Sequence, residues 1–177
     1  MQIDPSIKSR PTYQAPMLEE PAGLQLFVCQ PEARGLLEPL YQQCASAQAQ
    51  WVLADEETGT EALLASLQQM LVNVPVSTRL YVAGHEGFLW DVRNLALEAG
   101  LVDEQIQLAP PVSRGRRLFC THCYTLMEGV EASPHSCSGC GRLLLVRDHF
   151  SRLHGAYVGV QINAEDPSEL PEQEVLQ

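Results

Sequence analysis

Basic charge is scarce in this chain. Eleven Lys and Arg face twenty-two Asp and Glu, a formal charge of −11, and that balance argues against nucleic acid as the main partner, because a polyanion needs a cationic footprint. Long apolar runs are missing too. Nothing approaches the roughly 20 residues that span a bilayer, so no membrane partner is expected. Met1–Arg10 lacks an apolar stretch of the secretory kind, which makes the cytoplasm the expected address. A haem-attachment motif, a P-loop and a Gly-x-Ser-x-Gly elbow are all absent, and no internal repeat is visible. A length of 177 residues suffices for one ordinary core and a small satellite.

Cysteine is sparse as well, but four of the six are bunched. Cys120-Thr-His-Cys123 and Cys137-Ser-Gly-Cys140 are two Cys-x-x-Cys pairs with thirteen residues between them. Each pair can grip a metal ion from a tight turn whose amides point at the sulfurs, and two pairs complete a tetrahedral four-thiolate site. Gly139 and Gly141 flank Cys140, where a knuckle needs positive φ or close backbone approach. The first pair has Tyr124 in place of that glycine, which predicts a less regular turn. Structural Zn2+ is the expected metal for Cys120, Cys123, Cys137 and Cys140. The same thiolates accept iron in a rubredoxin-type site, and disulfides are disfavoured without a signal segment. Four thiolates leave no open position for water, so no catalytic residue is expected there. The spacing also does not suit a plant-type [2Fe-2S] cluster. His122 reads as a solvent-facing turn residue. Cys44 reads as a small core residue, and Cys29 ends a strand.

Residues 1–23 hold Pro5, Pro11, Pro16 and Pro21 and read as an extended arm, either flexible or laid along a neighbour. From there the pattern alternates. Leu24–Val28, Trp51–Ala54, Arg79–Ala83 and Gln105–Leu108 are short apolar strands. Between them lie helical periodicities over 31–47, with Pro39 marking a possible start, over the region entered at Thr60 as N-cap, and over Phe88–Ala99. This order predicts an α/β domain over 24–112 with a parallel sheet and covering helices. Residues 113–163 form the expected zinc ribbon, closed by a strand at Leu143–Val146. They carry six arginines against Glu128, Glu131 and Asp148, either counter-charge for the thiolates or a docking patch for an acidic protein. The stretch His149–Val160 interleaves aromatic, His and Gly residues without helical period and reads as a partner-binding extension. Residues 164–177, acidic and proline-containing, read as a disordered tail.

Two stretches are familiar. Arg79-Leu-Tyr-Val-Ala-Gly-His-Glu-Gly-Phe-Leu-Trp-Asp-Val-Arg93 resembles the pyridine-nucleotide module of ferredoxin reductases. Ala83 stands where that family has cysteine beside the nicotinamide. Cys29-Gln-Pro-Glu-Ala-Arg-Gly35 stands where it has a glycine-rich loop against the pyrophosphate. The resemblance implies the fold, in a form degenerate for nucleotide. Arg117-Leu-Phe-Cys-Thr-His-Cys123, with Cys137 through Val160, resembles the small subunit of bacterial dimethylamine monooxygenase, also described as a haem-dependent oxidative N-demethylase. That resemblance implies an NADPH- and O2-dependent complex converting dimethylamine to methylamine and formaldehyde. Haem would lie in a separate catalytic subunit, and flavin and a [2Fe-2S] cluster in a reductase subunit. The expectation is an accessory subunit presenting Arg142, Arg147, Asp148, His149, Phe150 and Arg152 to those partners. An independent NAD(P)H- or flavin-binding oxidoreductase is the alternative. His85 and Glu86 read as a turn and a helix-N-terminal Glu rather than an acid–base pair, and His149 and His154 as interface or surface residues.

Overall fold

A computed structural model describes residues 9–44, 49–53, 59–166, 168 and 170–176. The first part of the predicted arm (1–8), Ala54, most of the loop before Thr60 and parts of the acidic tail lie outside the described residues. The chain divides into two compact units, Tyr13–Ser113 and a second made of Met1–Thr12 with Arg114–Gln177. No helix among the described residues is long and apolar enough to cross a membrane.

The first unit is α/β. Strands β1 (Leu24–Cys29), β2 (Ala49–Leu53), β3 (Thr78–Ala83) and β4 (Ile106–Leu108) form one sheet in the order β2-β1-β3-β4. Every pairing is parallel. Helices α1 (Arg34–Gln43), α2 (Gly59–Leu71) and α3 (Glu86–Glu98) make the crossovers. All six residues of β1 are buried, as befits a central strand covered on both faces. On one face Phe27, Cys29, Tyr81 and Ala83 pack with Leu37 of α1, and Leu18 of the arm joins them. The Phe27 and Tyr81 rings stack at 4.8 Å. The arm is tied down there by hydrogen bonds. Glu19 N–H donates to Tyr81 Oη (3.0 Å), and the Gln107 amide clamps Met17 N–H and C=O (2.8 and 2.9 Å).

Two local expectations change. Helix α1 starts at Arg34, after a single 3-10 turn at Pro31–Ala33, and runs through Pro39 instead of starting there. Pro39 has no N–H to donate to the Gly35 carbonyl, so the helix runs through it with that one bond missing. Thr60 lies inside the first turn of α2, one residue after Gly59, rather than capping it.

The second unit is mostly antiparallel. Strands β5 (Arg116–Cys120), β6 (Leu126–Val130), β8 (His135–Ser136), β9 (Leu143–Ser151) and β10 (Ala156–Gln161) assemble in the order β6-β5-β10-β9-β8, with β10 parallel to β5 alone. A ladder of two residues pairs β7 (Ala132–Ser133) with β11 (Glu174–Val175). That pairing corrects the expectation of a disordered tail at those two residues. The stretch 149–160, expected to lack core residues of its own, contributes to the core. It is the β9–β10 hairpin, and Phe150, Ala156 and Tyr157 are buried core residues alongside Leu118, Leu144 and Val146. Burial alternates along β9, and the register shift between Tyr157 and Gly159 keeps buried residues opposite buried ones. The period is weak in sequence because glycine stands at buried position 159 and Asp148 between buried Val146 and Phe150. Below Tyr157 lies the Arg116 guanidinium, 4.4 Å from the ring, bonded to Asp148 at 3.0 Å. Arg10 of the arm holds the same carboxylate at 2.9 Å.

Candidate metal centre

Each Cys-x-x-Cys pair is the turn of a hairpin, one between β5 and β6, the other between β8 and β9. The two turns reach the same end of the sheet because β10 runs parallel to β5 and antiparallel to β9. The Cys120, Cys123, Cys137 and Cys140 sulfurs converge to within 4.8 Å of one another. Cys120 and Cys140 Sγ are 3.9 Å apart, and Cys123 and Cys137 Sγ 3.5 Å. A tetrahedron with zinc–sulfur bonds of about 2.3 Å has edges of about 3.8 Å. The four thiols therefore fit a single tetrahedral ion.

The turns are copies of each other. Tyr124 N–H donates to Cys120 C=O (2.9 Å), as Gly141 N–H does to Cys137 C=O (2.8 Å). Cys120 N–H donates to Thr125 C=O (3.0 Å), as Cys137 N–H does to Arg142 C=O (2.8 Å). The backbone N–H of Thr125 reaches the Cys123 sulfur, and that of Arg142 the Cys140 sulfur. Tyr124 has φ 65° and Gly141 φ 71°. The first turn is thus as regular as the second, with tyrosine bearing a left-handed conformation that costs an L-residue about 1–2 kcal/mol. Gly139 answers to a different demand: a Cβ there would collide with Thr125 Oγ1 and lie 3.3 Å from Cys123 Sγ. His122, at the equivalent place, is exposed.

The thiols are electrostatically unequal. The Thr125 hydroxyl, then its N–H, pull Cys123 down from the ordinary thiol value to about 6. Cys140 goes up to about 12: the Arg142 N–H favours its thiolate, but desolvation and the three neighbouring thiols outweigh that bond. A cation at the centre removes this conflict, since each thiolate then faces positive charge rather than another sulfur. Thr125 escaped notice in the sequence. Its signal was its offset of two from Cys123, the offset of Arg142 from Cys140.

The first unit offers a second place where α/β folds hold ligands, the crevice at the carboxyl ends of β1 and β3 where the strand order reverses. Here it is filled. Gln30 Oε1 accepts the His85 N–H (2.8 Å), and Gln30 Nε2 donates to Thr60 Oγ1 (3.3 Å). A Cβ on Gly84 would lie 2.5 Å from Gln30 Oε1 and 2.6 Å from Phe88. His85 turns to Glu32 through Nε2 and to Ser113 Oγ through Nδ1, both at 2.8 Å. Glu86, buried in the first turn of α3, accepts from Tyr13 Oη (2.7 Å), which accepts in turn from Trp90 Nε1 (2.9 Å). His85 and Glu86 serve separate networks. His149 and His154 do too: Nδ1 of the first lies 3.3 Å from Ser9 Oγ, and the second stacks on Phe119 at 4.4 Å.

Two models of one family match the chain. The dimethylamine monooxygenase subunit DmmA-like N-terminal domain matches residues 46–106, and the corresponding C-terminal domain matches residues 117–160, which hold all four clustered cysteines. The chain is also similar to the heme-dependent oxidative N-demethylase delta subunit of Ectopseudomonas mendocina (strain ymp), 38% identical over 101 residues. The match spans 57% of this chain and 58% of that protein. No solved structure matches the chain.

Proposed function

This chain belongs to the DmmA-like family of dimethylamine monooxygenase subunits, and from that premise we propose that it is an accessory subunit of a haem-dependent oxidative N-demethylase. The observation that carries this reading is the match of both domains, in chain order, to a single subunit family. In the reaction so assigned, dimethylamine, O2, NADPH and a proton give methylamine, formaldehyde, NADP+ and water. Haem belongs to a catalytic partner, and flavin with a [2Fe-2S] cluster to a reductase partner. This chain bridges the two and has no complete active site of its own.

Its own chemistry is mechanical. Cys120, Cys123, Cys137 and Cys140 hold Zn2+, which supplies folding energy to the small unit. The protein provides all four ligands, so no position is left for substrate. Thr125 and Arg142 orient the sulfurs through their N–H groups. The α/β unit is a reductase-type nucleotide module that has lost its ligand. Gln30 lies where a pyrophosphate-binding loop would leave space, and Glu32 adds negative charge beside it. These contacts count against the alternative of an independent NAD(P)H- or flavin-binding component.

Affinity purification of the tagged chain from dimethylamine-grown native cells tests the reading. A Soret band with flavin and iron–sulfur absorbance, in fixed ratio to this chain, is the expected spectrum. A colourless, zinc-containing chain that brings down no other subunit overturns it.

A further inference from the structure

The second unit's sheet has one face in the core and another that is unusually apolar for water. Register places Leu126 opposite Phe119, Phe119 opposite Val158, and Val160 opposite Leu145. Residues so paired share a face, and Val158 and Val160 are two apart on one strand, so these five form a continuous band across β6, β5, β10 and β9. Leu118, Leu144 and Tyr157 alternate with them on the buried side. A sheet with one solvated face ordinarily alternates apolar with polar. This one instead leaves Leu126 45% and Leu145 39% exposed. Tyr124, 72% exposed, stacks on Phe119 at 5.8 Å and extends the band towards the four cysteines.

The rim is cationic. Arg147 follows Leu145 by two residues on the exposed side of β9, and Arg142 bonds Gln161 where β10 ends. Neither has an acidic partner among the described residues. The nearby acids are already engaged, Glu128 by Arg117 at 2.5 Å and Asp148 by Arg10 and Arg116. An apolar centre inside a positive rim is complementary to an apolar patch ringed by Asp and Glu. The β6 side of the band carries Glu128, paired with Arg117, so a second copy is the rival occupant that the test below separates from an acidic-rimmed partner.

We propose that this face, centred on Phe119, Leu126, Val158 and Leu145, docks an acidic-rimmed apolar surface on another subunit of the N-demethylase. The inference rests on the accessory-subunit reading and adds where the partner sits and what it looks like. It also moves the contact away from Phe150, which is buried. Tyr124 supplies a variant that spares the fold, because glycine suits φ 65° better than tyrosine does.

The test is co-expression of the tagged chain with the other subunits of the complex and quantification of what is captured. Leu126→Ser with Leu145→Ser, and Tyr124→Gly separately, are each expected to lower capture at least tenfold. Metal content and melting temperature should stay near wild type. Arg147→Glu should weaken capture and flatten its dependence on salt. If wild type captures subunits and the three variants capture as well as it does, the face is wrong and the accessory reading stands. If wild type captures nothing, both fall. Light scattering of the isolated chain adds a further refutation: a dimer that Leu126→Ser with Leu145→Ser dissolves would make the occupant a second copy.

Discussion

Replacing Gly139 by alanine should cost the metal centre more than replacing Gly141, although Gly141 is the glycine with positive φ. The added Cβ at 139 collides with Thr125 Oγ1, sits 3.0 Å from Thr125 Cβ and 3.3 Å from Cys123 Sγ. Rotating the hydroxyl away relieves the first contact but gives up its bond to the Cys123 sulfur, a loss of about 1–2 kcal/mol. The Cβ–Cβ approach remains and needs a backbone shift, for which overpacking costs of about 1–3 kcal/mol are usual. Together these come to about 3 kcal/mol, roughly a hundredfold in metal affinity. Gly141→Ala meets nothing within 4 Å, so it carries only the left-handed penalty of about 1–2 kcal/mol. Competition with a chromophoric chelator measures both. Thr125→Ala should cost about 1–2 kcal/mol in the wild-type background but almost nothing more in the Gly139→Ala background, because the displaced hydroxyl has already given up its bond to the sulfur. The reasoning is refuted if Gly139→Ala costs no more than Gly141→Ala, or if Thr125→Ala costs as much in the Gly139→Ala background as it does alone.

Four further outcomes are expected. Cys120→Ser with Cys137→Ser should abolish metal binding measured by plasma mass spectrometry and lower subunit capture; unchanged subunit stoichiometry would count against a metal-dependent docking unit. Burial pushes the Cys29 thiol up to about 12, against the pull of Arg34; its folded value lies above its unfolded one, so the stability it contributes is intact below pH 9 and declines as pH rises towards 12. Denaturant titrations at pH 10.5 should then show the wild type losing about 2 kcal/mol more than Cys29→Ala does, and equal losses would refute the assignment. Tyr13→Phe removes the hydroxyl between buried Glu86 and Trp90 and should destabilise the α/β unit by about 1–3 kcal/mol in urea, whereas an unchanged midpoint would contradict that network's weight. Calorimetric titration with NADPH should show no saturable binding, since Gln30 fills the crevice; a micromolar isotherm would revive a nucleotide site.

Much of the chain was legible residue by residue. The four strands of the first sheet fall where short apolar runs predicted, because a parallel strand covered on both faces must be apolar along its length, as β1 is. The four cysteines were legible for a related reason: two short pairs can present thiolates to one ion from local turns, with little help from the rest of the fold. Tyr124 misled, because local sequence shows the missing glycine but not the hydrogen bonds that hold tyrosine at φ 65°. The hairpin at 149–160 misled because apolar side chains are missing from inward positions, Gly159 being buried and Asp148 standing between buried Val146 and Phe150, although burial alternates along β9.

The sequence alone determined the α/β alternation, the thiolate quartet, the acidic balance and the family resemblance, all of which rest on local period, spacing or composition. Tertiary structure decided what needs partners distant in the chain. It set Gln30 against His85, 55 positions away, across the crevice where the strand order reverses. It brought Arg10 to Asp148 across 138 positions. It also sorted β9 and β10 into a buried side and an exposed apolar side. A strand's own sequence alternates but does not say which side meets the core, because only its neighbours in the sheet supply that answer.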